Sequence, residues 1–259
     1  MSHAARATPV ALVHGVGFGP STFALVGREL RRAGPVVMVQ RRGYGARAAL
    51  APPARVEDHV ADLLDELDAA KFERAVVAGV SGGATVALAA ALLAPDRVVA
   101  AVAHEPAAGS LAPELLELIA RSVRADGTAL VRALAGPRTW GRLTAAETAE
   151  LDAIAPLVEA DAAAYLAWEP KLDATPAGAP VITTVGELSP PLRHTVARRL
   201  QERAGARVVV LAHCGHLAQL DAPAAFAAVI AEVAGRDMPA LVGAGAQQTA
   251  DQPTCEEQR

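Results

Sequence analysis

Gly79-Val80-Ser81-Gly82-Gly83, set directly behind the apolar run Ala75-Val76-Val77-Ala78, is the stretch that decides how this chain folds. A serine with one glycine two residues before it and another two after fits a sharp strand-to-helix turn. Such a turn forces strained torsions on the serine, and larger neighbours at the glycine positions would collide. The hydroxyl is then held clear of the sheet, and the next residues open a helix whose amides face a developing oxyanion. From Ala84 to Leu93 the chain is Ala, Leu and Val, broken only by Thr85, and Pro95 stops it. The strand before and the helix after predict a nucleophile elbow at Ser81, against the blander alternative of one more glycine-rich turn.

Outward from the elbow, short apolar runs alternate with longer helical patterns. Val10–Val13, Val36–Val39, Ala75–Ala78, Val98–Ala103, Val181–Val185 and Val208–Leu211 read as strands. They are rich in valine and apolar on both faces, as parallel strands covered by helices on each side must be. Helical patterns lie at about Thr22–Arg32, Val56–Ala69, Ala84–Leu93, Leu192–Arg203 and Pro223–Val233. In the second of these, Val56, Val60, Leu63, Leu64 and Leu67 share one helix face. The alternation predicts an α/β fold: a mostly parallel sheet of about six strands with helices on both faces.

The rhythm breaks once. From Leu111 to Leu172 there is helical pattern and no convincing strand, which predicts a helical cap (111–172) inserted into a core made of 9–110 and 173–236. The cap carries both tryptophans, Trp140 and Trp168, and one of the two tyrosines, Tyr165. Those rings suit an apolar pocket lining and suit equally the packing of the cap on the core. Residues 237–259 turn polar and rich in Gln and Glu, the composition of a mobile tail.

Composition sets outer limits. With 259 residues, 52% hydrophobic and 20% charged, the chain can bury the core of one enzyme-sized domain. A formal net charge of −4 without blocks of like charge argues against a nucleic-acid partner. Cys214 and Cys255 make no disulfide framework. Met1–Thr8 lacks a signal-peptide core, and no window reaches the roughly 20 apolar residues of a membrane span. The expectation is a cytoplasmic protein with a small-molecule substrate and no membrane partner; an apolar cap leaves open a homodimer.

Three blocks resemble the α/β-hydrolase family, and the resemblance runs over about residues 9–235. They are His14-Gly15-Val16-Gly17 after the first strand, the Ser81 elbow, and Gly215-His216-Leu217 after the last strand. Their order, oxyanion loop, nucleophile, then histidine, is the one this fold uses. Gln40-Arg41-Arg42-Gly43-Tyr44-Gly45 is similar to the family's glycine turn after the second core strand. With barely eight residues before the first strand, the antiparallel pair that often opens the fold is expected to be missing or reduced to one strand.

Ser81 needs a base, because a free hydroxyl is a weak nucleophile at neutral pH. Of seven histidines, the resemblance points to His216 in its Gly-His-Leu setting, with Gly215 allowing the tight turn that brings it over the sheet. His14 is expected to orient the oxyanion loop and His59 to be a surface or interface residue on its helix. His104 ends a strand without a base motif, His194 lies early in a helix, and His3 lies in a loose terminus. His213-Cys214-His216 is too cramped, and lacks a fourth ligand, for a metal site. No cofactor or metal is implied.

The acid is less obvious. The family's usual place is three residues beyond the glycine that ends the strand Val181–Val185, and counting from Gly186 lands on Ser189, which holds no charge. Glu187 is two residues short of it. Some haloalkane dehalogenases place the acid after the strand that follows the elbow helix, and here that strand is followed by His104-Glu105-Pro106. Glu105 is therefore the expected acid, Glu187 the alternative. The resemblance further implies an oxyanion hole made by the N–H groups of Gly82 and Val16. Phe18 and Phe23 flank that loop as pocket lining or as core. Together these expectations describe a serine hydrolase acting on an ester, lactone or thioester of a small apolar compound. Other chemistry on the same triad (carbon–carbon hydrolysis, perhydrolysis, a cyclisation or elimination) and a non-catalytic binding protein remain alternatives.

Overall fold

The computed structural model describes residues 7–53, 55–108, 111–125, 127–141, 143–153, 155–172, 178–235 and 246–248. Its centre is a sheet of six parallel strands: β1 (Val10–Val13), β2 (Val36–Val39), β3 (Ala75–Val80), β4 (Val98–His104), β5 (Val181–Gly186) and β6 (Arg207–Leu211). A short β7 (Ala246–Gln248) lies antiparallel to β6, and the strand order is β2-β1-β3-β4-β5-β6-β7. The strand order reverses between β1 and β3, where open parallel sheets place their ligands beyond the carboxyl ends of the strands.

Burial follows from composition. β1 and β3 are buried at every residue, which is why they read as unbroken apolar runs with no alternation. α3 (Gly82–Leu93) lies over β3 and β4 and packs on α2 (Val56–Ala69). The opposite face carries α1 (Ala24–Arg31) packed against α10 (Pro223–Val233), which also reaches β3 and β4. α8 (Pro191–Ala204) connects β5 to β6, and a single helical turn, α9 (Ala218–Asp221), precedes α10.

Strand β3 runs two residues past the apolar run, because Gly79 and Val80 still pair with Ala103 and His104. Pairing, not hydrophobicity, ends a strand. Within 237–259, read from sequence as a mobile tail, Ala246–Gln248 forms β7; the open hydrogen-bonding edge of β6 accepts any extended segment that reaches it. The remainder of that segment lies outside the described residues.

Between β4 and β5 the chain forms α4 (Pro113–Ala125), α5 (Gly127–Trp140, broken at Gly136), α6 (Ala145–Ala153) and α7 (Ala155–Leu166), with no strand among its described residues. α7 rests on α3, and α4 on α8. This layer therefore covers the carboxyl edge of the sheet. Among the described residues, no helix is long and apolar enough to cross a membrane.

Candidate active site

Ser81 ends the β3 run and caps α3 with φ 56° and ψ −122°, a conformation that costs a non-glycine residue roughly 1–3 kcal/mol. Its surroundings leave no slack. A Cβ on Gly83 would stand 2.1 Å from the Val13 carbonyl oxygen, and one on Gly79 would stand 2.2 Å from that of Gly83. The Ser81 N–H donates to the His104 carbonyl oxygen at 2.9 Å, tying the elbow to β4. Thr85, the one polar side chain in that apolar helix, accepts the Ala107 N–H at 2.9 Å. The segment after β4 is thereby fastened to the first turn of α3.

Register brings the chemistry together. Val80 pairs with His104 and His104 with Thr184, so the residues after β3, β4 and β5 emerge side by side. Glu105, at φ 50°, points its carboxylate at the loop after β6. His216 Nδ1 donates to Glu105 Oε2 at 2.7 Å, and Oε1 accepts the Gly186 N–H at 2.9 Å. A carboxylate only accepts, so the His216 proton is on Nδ1 and Nε2 keeps its lone pair. Nε2 has no hydrogen-bond partner among the described residues, so the bond to Ser81 expected of a resting pair is not made.

His216 is buried, and burial pushes its pKa down to about 4; the Arg193 charge pushes the same way and Glu105 opposes both. Burial alone would raise the Glu105 pKa, but the His216 hydrogen bond and the neighbouring His104 and Arg193 hold it well below the usual carboxylate range. At neutral pH the pair is thus an ionised carboxylate and a neutral imidazole.

The other candidates have different work. Glu187 Oε2 accepts the His213 N–H at 2.8 Å, so this carboxylate holds the backbone at the start of the histidine loop. The His213 side chain is 89% exposed, pointing away from buried His216. Ser189, at the family's usual acid position, is buried with its hydroxyl unpaired among the described residues. His104 is fully buried; its Nε2–H donates to the Gly215 carbonyl oxygen at 3.1 Å, and Nδ1 accepts from Thr184 Oγ1 at 2.9 Å. A strand-end histidine with no motif of its own thus positions the loop that carries His216.

Over Ser81 lies a cavity of about 20 Å³, room for roughly one water. Val16, Ser81, Gly82, Ala107, Ile119 and Ala162 line it, together with Tyr165, Leu166 and Arg193. Gly82 is the first residue of α3, so its N–H has no acceptor within the helix, and Gly82 borders this space beside Val16. Of Phe18, Trp140, Tyr165 and Trp168, only Tyr165 borders this cavity; its ring lies so close to Gly82 that a Cβ there would stand 2.6 Å from it. Phe18 is buried in the core, as is Phe23. Trp140 packs half-buried under Arg132. Trp168 borders a separate, larger depression with Arg55, Leu92 and Lys171, about 15 Å along α3 from Ser81 by helix rise.

A second cluster lies between the core and the cap. The fully buried Arg41 donates from Nη2 to Asp161 Oδ2 at 2.9 Å and to the Gly15 carbonyl oxygen at 2.8 Å, and from Nη1 to the Tyr165 hydroxyl. The Tyr44 hydroxyl donates to Asp161 Oδ2 at 2.7 Å and accepts the Gly17 N–H at 3.0 Å. His59 Nε2 bonds Asp161 Oδ1 at 2.9 Å. His59 is therefore not a surface residue: it is fully buried against a cap carboxylate about a hundred residues away in the chain. His14 does meet the oxyanion loop, with Nδ1 donating to the Gly15 carbonyl oxygen at 3.0 Å. Arg41 and Tyr44 belong to the glycine turn singled out by resemblance, but nothing in the sequence paired them with Asp161 or pointed to Arg193; the neighbouring Arg42 turns instead to Asp62 on α2.

Residues 10–229 match the model of a family described as the alpha/beta hydrolase family. A search of curated proteins returned no significant match. Among solved structures, an enol-lactonase from Burkholderia xenovorans LB400 is similar at TM-score 0.70 and 22% identity, covering 90% of this chain and 93% of its own. An esterase from Exiguobacterium antarcticum is similar at TM-score 0.71 and 18% identity, covering 89% and 92%. Epoxide hydrolase A from Mycobacterium thermoresistibile follows at 0.68 and 22%, covering 90% and 92%.

Proposed function

The chain belongs to the alpha/beta hydrolase family, and from that premise we propose that it is a serine hydrolase cleaving an ester, lactone or thioester of a small molecule through an acyl-enzyme on Ser81. The observation that carries the proposal is the 2.7 Å bond from His216 Nδ1 to Glu105, which leaves Nε2 as a buried, unpaired acceptor. The lactonase and the esterase among the similar folds are in keeping with ester chemistry.

In the proposed reaction Ser81 Oγ adds to the scissile carbonyl carbon while His216 Nε2 takes its proton. The carbonyl oxygen becomes an oxyanion held by the Gly82 and Val16 N–H groups, each such donor worth about 2.7–4 kcal/mol in the transition state. His216 then returns the proton to the leaving oxygen or sulfur, and water repeats the sequence on the acyl-enzyme. Glu105 stays ionised throughout, fixing the tautomer and balancing the imidazolium. With this carboxylate in reach of His216, Ser189 is no reason to read the protein as a binder without turnover.

The test is labelling by a fluorophosphonate probe together with turnover of p-nitrophenyl esters and simple lactones. Ser81→Ala should lose both, and Glu105→Gln should slow turnover by up to about 10⁴, while Glu187→Gln stays within a few-fold. Ester hydrolysis by Ser81→Ala within tenfold of the parent would overturn the acyl-enzyme, since loss of a nucleophile costs orders of magnitude.

A further inference from the structure

Two arginines are buried among the described residues, Arg41 and Arg193, and they differ in the number of their partners. Arg41 is enclosed by Asp161, the Gly15 carbonyl and the Tyr165 hydroxyl. Arg193, on α8, is 4% exposed and borders the Ser81 cavity. Its one hydrogen bond among the described residues runs from Nη1 to the Glu105 carbonyl oxygen at 3.2 Å. Nε stands 3.6 Å from Glu105 Oε2, beyond hydrogen-bond reach. Each Glu105 oxygen already accepts a hydrogen bond from another group, Oε2 from His216 and Oε1 from the Gly186 N–H. A guanidinium has five N–H donors and does not give up its proton. Elsewhere the wall offers only the Ser81 hydroxyl and the Tyr165 hydroxyl, the latter already taken by Arg41, beside the apolar Val16, Ala107, Ile119, Ala162 and Leu166.

We propose that Arg193 receives a carboxylate carried by the substrate, so that the esters this site takes bear a free carboxylate a few bonds from the scissile carbonyl. The proposal deepens the hydrolase reading and rests on it for the identity of the scissile bond. The planar fork of a guanidinium matches two carboxylate oxygens at once. In a largely apolar cavity an uncharged analogue leaves those donors desolvated and unpaired, which is how a buried polar site rejects it. Arg41 bonds Asp161, the Gly15 carbonyl and Tyr165 and leaves only Nε unpaired, and its pKa is pushed up. Arg193, with one hydrogen bond and a 3.6 Å approach to Glu105, has fewer partners, and burial pulls its pKa down, opposed by Glu105. Room for the ligand comes from retreat of the cap side chains, because the cavity holds only about one water as it stands.

The experiment compares the mono-p-nitrophenyl esters of succinate, glutarate and adipate with their methyl-capped, uncharged counterparts. For at least one chain length, kcat/KM should favour the free carboxylate by tenfold or more. Arg193→Met should bring that ratio near one, and Arg193→Lys should leave it in between. The ratio is insensitive to a general loss of activity, which is what an arginine that merely braces Glu105 would produce. A ratio at or below one in the parent for all three lengths overturns the proposal whether or not Arg193→Met folds, and so does a ratio unchanged in that variant. A calorimetric arm needs no turnover: Ser81→Ala should bind at least one of the three free dicarboxylates, and adding Arg193→Met should abolish binding. Such binding with no ester cleaved would retain the anion site and discard the hydrolase. Cleavage of charged and uncharged esters alike would do the reverse.

Discussion

His216 must be neutral to take the Ser81 proton, and its surroundings decide when it is. Burial and Arg193 lower its pKa to about 4, and the Glu105 bond recovers only part of that. Activity that needs neutral imidazole should therefore persist well below pH 6.5. The acid limb of kcat/KM should bend near pH 4 and fall tenfold per unit beneath it, measured with initial rates on an ester stable in acid. A limb centred at 6.5 or above would mean that the imidazole is far better solvated than this geometry has it. Stability carries the matching sign. Between about 4 and 6.5 the unfolded chain binds a proton that the folded His216 refuses, so this residue favours unfolding as pH drops through that window.

The elbow shows why so much could be read from one element, and its neighbours why the rest could not. A strand, a strained serine and a helix are local events, dictated by glycines that cannot be enlarged. Gly83→Ala places a Cβ 2.1 Å from a backbone oxygen of β1, with no flexible side chain to give way. It should destabilise by about 1–3 kcal/mol or more, visible as a lower urea midpoint, and should slow Ser81 labelling. The six parallel strands were legible for a similar reason; His216 and Glu105 came from the family resemblance, which puts the base in the Gly-His-Leu loop and the acid after a strand end. His59 was not legible. A histidine on an amphipathic helix looks like a surface residue until a carboxylate from the cap closes over it, and nothing near position 59 announces Asp161. Arg193 was hidden in the same way: α8 reads as a basic, solvated helix, and only the tertiary fold turns this one guanidinium inward. Aromatic content left pocket lining and cap packing equally open for the tryptophans: Trp140 packs under Arg132, and Trp168 borders a depression away from Ser81.

Across the whole molecule, the cap and the oxyanion loop share one buried charge pair. Arg41 and Asp161 are both fully buried, and removing one partner strands the other. Asp161→Asn should cost about 3–5 kcal/mol in a denaturant melt. Replacing both with apolar residues, as in Arg41→Met with Asp161→Leu, should cost less than either single change, a coupling readable from a double-mutant cycle. The cavity beneath that clasp, at about 20 Å³, has a consequence in time as well as in space. Ile119, Tyr165 and Leu166 leave too little room over Ser81 for a reagent, so access should require them to withdraw. Labelling by a fluorophosphonate should accordingly climb with concentration and then level off, because the gate and no longer the encounter is limiting. Loosening the clasp with Asp161→Asn should raise that plateau; a strictly linear dependence into the millimolar range would show an open door. A plateau would mean that the cap side chains over Ser81, and not the encounter, set how often the serine can be reached.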